Sequence, residues 1–212
     1  MDNDIIKDNF IYINKTSLTK EMCIEIIELF EKEENAHFLG ITGMGYKPKI
    51  KKTIDLVLSN FFENNINIKY IEKWDNIIFF LEKELSKNLK KYLDNLNKIY
   101  NTNFFMNDKY FLTKGFLLHK YYKNNGKFEY HNDFSITDFK NKHRVIVFLW
   151  YLNDVKEGGE TEIFNNILIK PKTGKLLLFP ALWYYKHKGH IPISDDKYII
   201  TGWFYSDNIY IK

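Results

Sequence analysis

The chain has 212 residues, of which 45% are hydrophobic and 17% are aromatic, enough to fill the core of one domain of the larger kind. The net charge is +4 at pH 7 and the lysines are spread along the chain, so no nucleic-acid partner is expected. Cys23 is the only cysteine, which excludes an intrachain disulfide and a cysteine-rich zinc site.

The beginning of the chain and its apolar runs predict the compartment. The first ten residues, MDNDIIKDNF, lack the basic and apolar regions of a signal peptide. The longest apolar run, 145–152, is too short to span a bilayer. Together with the single cysteine, these features predict a cytoplasmic protein that has no membrane partner. The sequence carries no signal for an oligomeric state.

Two amphipathic helices are predicted in the first half of the chain. Thr19 is a suitable N-cap, and the apolar residues that follow it form one stripe at i, i+3, i+4 and i+7. These residues are Cys23, Ile26, Ile27 and Phe30. A longer helix is predicted over 71–100, where Lys and Glu fill the face opposite the apolar residues. Both helices are predicted to support a sheet.

The hydrophobic period changes at about Tyr110. Short runs rich in Val, Ile, Phe and Tyr alternate there with the turn sequences NNG, NDVKEGG, KPKTG and SDD. Many short strands at such spacing favour a closed or two-sheet β architecture. The predicted fold class is therefore α+β, one domain over 1–212 with mainly helical support over 1–109 and a jelly-roll core over 110–212.

Candidate metal ligands stand out in the stretch KFEYHNDFSI. It places His131 and Asp133 two residues apart in a predicted strand, so both side chains point to the same side. The stretch YYKHKGHIPI supplies a third donor, either His187 or His190. Two histidines and one carboxylate leave three octahedral positions open, as in non-haem Fe(II) oxygenases. A closed zinc site is the alternative, and it needs a fourth protein ligand that the motif does not show.

A lysine in the last predicted strand is a candidate anion ligand. Lys197 lies in the β-rich run DDKYIITGWFY, ten residues after His187. If it is buried, its ammonium needs an anionic partner, such as the distal carboxylate of a dicarboxylate that chelates iron by its 2-oxo acid end. An exposed lysine after an Asp-Asp turn is the alternative.

The region from about Gly115 to Ser206 resembles the 2-oxoglutarate- and Fe(II)-dependent dioxygenases of the prolyl 4-hydroxylase family. The similarity runs, in order, through YYKNNGKFEYHNDF, RVIVFLWYLNDVKEGGETEIF, IKPKTGKLLLFP, HKGHIPI and KYIITGWFY. The resemblance implies that the core over 110–212 is a catalytic double-stranded β-helix. It also implies Fe(II), 2-oxoglutarate and O2, and it brings ascorbate into consideration as a further cofactor.

The resemblance implies roles for single residues as well. His131, Asp133 and His187 are implied as the iron ligands, and His187 lies 56 residues after His131. Lys197 matches the basic residue that holds the distal carboxylate of the cosubstrate.

Further pocket residues follow from the same resemblance. Those implied as cosubstrate contacts are Tyr122, Tyr151, Thr201 and Trp203. Arg144 is implied as a substrate contact. His190 departs from the family pattern as a second histidine in this loop, and we expect it at the pocket mouth as a substrate contact. Core packing is the alternative for the two tyrosines, and contact with solvent is the alternative for Arg144 and His190.

The implied reaction is hydroxylation of an unactivated C–H bond, with a prolyl residue in a peptide or protein as the expected substrate. A free amino acid or another small molecule is the alternative substrate, because fold and cofactor do not fix the substrate. A metal-binding jelly-roll module without turnover is the alternative function.

Overall fold

The computed structural model describes residues 4–7, 10–58, 68–103, 111–135 and 143–206. The helices are α1 (Lys20–Lys32) and α2 (Ile71–Ile99), with a short 3-10 turn at Glu34–Ala36. The strands are β1 (Asp4–Lys7), β2 (Ile11–Asn14), β3 (Phe38–Leu39), β4 (Lys51–Lys52), β5 (Ile54–Leu58), β6 (Phe111–Thr113), β7 (Phe116–Tyr121), β8 (Lys127–His131), β9 (His143–Tyr151), β10 (Thr161–Ile163), β11 (Ile167–Ile169), β12 (Leu176–Pro180), β13 (His187–Gly189) and β14 (Lys197–Ser206).

The strands form two antiparallel sheets. The larger sheet has the order β1-β2-β12-β9-β14-β7-β5-β3, with β6 also paired to β14. The smaller sheet has the order β11-β10-β13-β8-β4. This pair of sheets confirms the predicted α+β class with a two-sheet core. Within the described ranges, neither helix combines the length and the apolar character needed to cross a bilayer.

Helix α1 begins as its sequence predicts. The Thr19 side chain accepts a hydrogen bond from the backbone N–H of Met22 at 3.2 Å, which satisfies one of the free donors at the helix start. Cys23, Ile26 and Phe30 are buried, so the predicted stripe is confirmed as the core-facing side. Burial raises the pKa of the Cys23 thiol to about 11, as expected for a cysteine in the core.

Helix α2 is held at its start by a buried carboxylate. The two Glu33 oxygens accept hydrogen bonds from the backbone N–H groups of Lys69 and Tyr70, each at 2.8 Å. An anion at a helix N-terminus is favourable because free N–H groups and the helix dipole meet there. This contact fixes the end of α1 against the start of α2.

The alternation of side chains along the central strands divides the core into two layers. In β9, Phe148 and Trp150 pack with the two helices, whereas Val147, Leu149 and Tyr151 face the smaller sheet. The second layer contains the side of β14 that carries Lys197 and Ile199. The cavity of the protein lies in this second layer.

The N-terminal part contributes more than helical support. Strand β2 pairs with β12, and β5 pairs with β7, so both sheet edges include strands from the first 58 residues. These strands lie in the part predicted as mainly helical support with some strand, and the predicted boundary at 109–110 lies outside the described residues. Sequence periodicity underestimated these strands because each is five residues or shorter.

Candidate active site

Three metal-ligand side chains converge at the end of β8. His131, the last residue of β8, pairs directly with His187 at the start of β13, and Asp133 follows two residues later. One ligand atom from each residue lies within 4.8 Å of the others. The Asp133 carboxylate is 3.4 Å from Nε2 of His187 and 4.0 Å from Nε2 of His131. The strand pairing thus joins residues that are far apart in sequence.

The other ring nitrogens fix the orientation of the two histidines. Nδ1 of His131 lies 2.8 Å from the Glu129 carbonyl oxygen, and Nδ1 of His187 lies 3.1 Å from the Tyr185 carbonyl oxygen. A carbonyl can only accept, so Nδ1 carries the hydrogen in both bonds and the Nε2 atoms face Asp133. Backbone carbonyls commonly orient metal-binding histidines in this way.

The charges in this cluster suit a divalent cation. Burial and the neighbouring His187 lower the pKa of His131 to about 4, although Asp133 opposes them. Burial acts to raise the pKa of Asp133, but the two histidines hold it below its usual range. At neutral pH the cluster therefore offers a neutral imidazole and an ionised carboxylate, the forms that bind metals.

The donor set fits Fe(II) better than structural zinc. The described residues bring three such donors together, two imidazole nitrogens and one carboxylate. A closed structural zinc site takes four protein ligands, whereas this set leaves octahedral positions open for other molecules. For this reason, the residues present fit iron.

The cluster lies in a cavity of about 830 Å³ between the two sheets. The predicted site residues that line it are His131, Asp133, Arg144, His187, Lys197, Thr201 and Trp203. The predicted site residues that the described lining does not include are Tyr122, Tyr151 and His190.

Lys197 is buried in the wall of this cavity, with only 1% of its surface exposed, which excludes the exposed alternative. Its ammonium donates to the Gly159 carbonyl oxygen at 3.0 Å and lies 4.0 Å from the centre of the Tyr121 ring. Burial lowers the pKa of Lys197 to about 7, with partial opposition from Glu160. No carboxylate of the described residues forms an ion pair with this ammonium, so an anionic ligand would stabilise its charged form.

The cavity-facing tyrosine is Tyr121, whereas Tyr122, the predicted cosubstrate contact, lies outside the described lining. Tyr122 is 46% exposed, and the Lys120 ammonium lies 4.8 Å from its ring centre. Tyr121 is buried, lines the cavity and pairs with Lys197 across β7 and β14. Consecutive residues of a strand face opposite sides, so an error of one residue moves the hydroxyl out of the site.

Tyr151 and His190 lie outside the described cavity lining and contact residues next to it. The Tyr151 hydroxyl donates to Oγ1 of Thr161 at 2.7 Å, and Thr161 lines the cavity in its place. The side chain of Tyr151 is fully buried, which agrees with the alternative of core packing. The His190 ring instead pairs with the Glu162 carboxylate.

Trp203 and Arg144 form the end of the cavity that is rich in donors. The Arg144 guanidinium carbon lies 3.7 Å from the Trp203 ring centre, a stacked arrangement. The indole N–H of Trp203 is buried and has no hydrogen-bond acceptor among the described residues. Thr201 donates its hydroxyl hydrogen to the Phe148 carbonyl oxygen at 2.8 Å. An unpaired buried donor beside a cavity favours a ligand that accepts a hydrogen bond there.

Sequence reasoning missed one polar group of the cavity wall. Lys51, Asp55 and His119 all line the cavity and are joined by an ion pair and a hydrogen bond. His119 showed no neighbouring pattern in the sequence, because Asp55 lies 64 residues away and meets it only through the pairing of β5 with β7.

Comparison with protein families adds to this geometry. Residues 116–205 match the model of the 2OG-Fe(II) oxygenase superfamily. This segment is a 2OG-Fe(II) oxygenase domain. The protein is thus a dioxygenase, and its cofactor and cosubstrates are Fe(II), 2-oxoglutarate and O2. The matched segment contains the three metal-ligand residues, His131, Asp133 and His187, and also Lys197. A search of curated proteins gives no match.

Solved structures share the whole fold of this oxygenase at low sequence identity. The viral collagen prolyl hydroxylase of Paramecium Bursaria Chlorella virus-1, in its 2OG complex, has a TM-score of 0.62 and 16% identity, covering 94% of this chain and 97% of its own. The prolyl hydroxylase of Trichoplax adhaerens, in complex with a hypoxia inducible factor peptide fragment, has a TM-score of 0.60 and 16% identity, covering 94% and 84%. A Pseudomonas putida prolyl-4-hydroxylase has a TM-score of 0.54 and 14% identity, covering 93% of each chain. These likenesses confirm the predicted jelly-roll fold.

The two histidines of the KHKGH segment are expected to differ in metal binding. His187→Ala should lose metal binding, because it removes a ring nitrogen 3.4 Å from the Asp133 carboxylate. His190→Ala should keep it, because its ring contacts Glu162 instead. Titration of both variants with Mn(II) measures the difference. The reverse order of losses would contradict the pairing of β13 with β8.

Proposed function

We propose that this oxygenase hydroxylates a prolyl residue in a peptide or protein, with His131, Asp133 and His187 holding Fe(II) and Lys197 holding the distal carboxylate of 2-oxoglutarate. One observation carries the proposal: a single cavity contains the three metal-ligand side chains and a buried lysine that has no carboxylate partner among the described residues. When bound, the iron supplies the chemistry that couples decarboxylation of 2-oxoglutarate to hydroxylation of a C–H bond.

The residues of the chain bind and orient the reactants in this proposal. The Lys197 ammonium would pair with the distal carboxylate of the cosubstrate, and the iron held by His131, Asp133 and His187 would bind its 2-oxo acid end. Apolar side chains of the second core layer, including Leu149 and Phe179, line the cavity and limit the access of water. Both sheets are needed for this cavity, which supports one functional domain over 1–212. Ascorbate use and a cytoplasmic location stay predictions.

A peptide substrate is supported by the apolar surface at the opening of the cavity. Ile41 and Met44 line it although they are 53% and 75% exposed, so apolar surface continues from the cavity to the outside. The indole N–H of Trp203, which has no acceptor among the described residues, offers a further donor to a ligand of the cavity. One structural relative is itself a complex with a peptide fragment.

Mass spectrometry of proline-containing peptides tests the substrate. Incubation with Fe(II), 2-oxoglutarate, ascorbate and O2 should add one oxygen atom to a prolyl residue of at least one peptide in a varied panel. His187→Ala serves as the control without a complete metal site. Oxidation confined to free amino acids, with every peptide unchanged, would replace the peptide proposal by the small-molecule alternative.

A further inference from the structure

Three polar side chains are buried together in the wall of the cavity, away from the metal cluster. Nδ1 of His119 lies 2.6 Å from one oxygen of Asp55, and the Lys51 ammonium lies 2.7 Å from the other. At most 7% of each side chain is exposed. Lys51 belongs to the smaller sheet and the other two residues to the larger one, so the group spans both walls of the cavity.

Strand pairing places His119 next to the proposed carboxylate site. His119 lies directly opposite Ile199 of β14, and Lys197 lies two residues before Ile199. Both His119 and Lys197 therefore point to the same face of the larger sheet, and both line the cavity. Diagonal neighbours of this kind typically have Cα atoms about 7–8 Å apart. A ligand carboxylate bound to the lysine is within reach of the histidine ring.

The His119 ring keeps one nitrogen for a ligand. Burial lowers the pKa of His119, and the charges of Lys51 and Lys197 act in the same direction, against Asp55. Burial acts to raise the pKa of Asp55, but His119 and Lys51 hold it below its usual range. The neutral ring therefore donates Nδ1–H to an ionised carboxylate. Its Nε2 atom has no hydrogen-bond partner in the described part of the chain.

Stability alone is a weak reason for such a group. Buried ion pairs cost desolvation energy, and apolar residues of similar size often replace them without loss of stability. The next pair on the same face of these two strands, Val57 and Leu117, is apolar and also lines the cavity. A charged group at this cavity-facing pair therefore favours a binding role over a purely structural one.

We propose that His119 is a second residue that binds the distal carboxylate of 2-oxoglutarate, and that Asp55 and Lys51 hold its ring in place for this contact. The proposal rests on the proposed role of Lys197 in the same cavity. It assigns to the N-terminal strands β4 and β5 a part in cosubstrate recognition, because they carry the two residues that hold the ring.

Binding of the carboxylate changes the hydrogen-bonding role of the ring. Its negative charge favours a second proton on the imidazole, so that Nε2–H donates to the carboxylate while Nδ1–H donates to Asp55. The proton comes from solvent. The ionisable groups that face His119 are Asp55 of β5, Lys51 of β4, Tyr121 of its own strand and Lys197 of β14.

Cosubstrate binding without turnover tests this contact. The protein is loaded with Mn(II), and its affinity for 2-oxoglutarate and for 2-oxovalerate is measured by calorimetry. 2-Oxovalerate has the same chain with a methyl group in place of the distal carboxylate. His119→Leu should weaken 2-oxoglutarate binding by about tenfold or more, the scale of one charged hydrogen bond, and leave 2-oxovalerate binding unchanged. His119→Gln keeps a hydrogen-bond donor, so it should lose less affinity for 2-oxoglutarate than His119→Leu.

Controls separate this proposal from the one on which it rests. His143→Leu changes a half-buried histidine outside the cavity lining and should leave both affinities unchanged. Equal weakening of both ligands by His119→Leu, or no weakening of either, would overturn the role of His119. If His119→Leu does not fold, the Gln variant decides by the same comparison. Failure of the unaltered protein to bind 2-oxoglutarate would overturn the proposed function itself.

Discussion

Replacing Asp133 by alanine should abolish metal binding and turnover together. Asp133 supplies the only anionic donor of the cluster, and its oxygens lie 3.4 and 4.0 Å from the two histidine nitrogens. Loss of a residue that merely orients a ligand typically costs about 10–100-fold in metal affinity. Loss of the ligand itself should cost at least the upper end of that range. Calorimetric titration with Mn(II) and a succinate assay measure the two effects.

Asp154→Ala is a matched control for this variant. Asp154 is an exposed aspartate that contacts Lys172 and Thr173, away from the cavity lining. The Asp154→Ala variant should bind Mn(II) and form succinate like the unaltered protein. Undiminished succinate formation by Asp133→Ala would rule out the proposed metal centre.

Replacing Lys197 by alanine should weaken 2-oxoglutarate binding while leaving metal binding intact. The lysine is 1% exposed and has no carboxylate partner among the described residues, so the cosubstrate is expected to supply the missing charge. Loss of this desolvated, charged hydrogen bond should cost on the order of 2 kcal/mol or more in binding free energy. Calorimetry with the Mn(II)-loaded protein gives both affinities.

Lys175→Ala controls for the removal of a partly buried lysine. The Lys175 ammonium donates to the Lys170 carbonyl oxygen at 2.6 Å and does not line the cavity. Its 2-oxoglutarate affinity should equal that of the unaltered protein. If the Lys197→Ala variant also binds 2-oxoglutarate with the affinity of the unaltered protein, the distal carboxylate binds elsewhere.

Local patterns in the sequence were sufficient for the helices and for two of the three residues of the metal cluster. The apolar stripe after Thr19 predicts α1 with its N-cap, because capping and helical period act within a few residues. His131 and Asp133 are recognisable together because a strand turns alternate residues to one side. His187 could be chosen over His190 only by its spacing in the family, since Gly189 between them weakens any parity argument.

Other parts of the site depend on strand register and distant pairing, which local patterns do not encode. Tyr121 and Tyr122 are identical residue types side by side, so only the pairing of Tyr121 with Lys197 decides which one faces the cavity. His119 is recognisable as a functional residue only through its contact with Asp55. That contact depends on the pairing of β5 with β7. No spacing rule in a single sequence contains that alignment.

Succinate formation by the purified protein tests whether this chain uses Fe(II), O2 and 2-oxoglutarate. We expect succinate to appear only when all three are present and to increase when a hydroxylatable peptide is added. Chelation of the metal should stop its formation. Succinate formation that persists after the metal is chelated would contradict a role for iron. Absence of succinate would contradict dioxygenase activity if the metal-loaded protein binds 2-oxoglutarate in air in the presence of the full peptide panel.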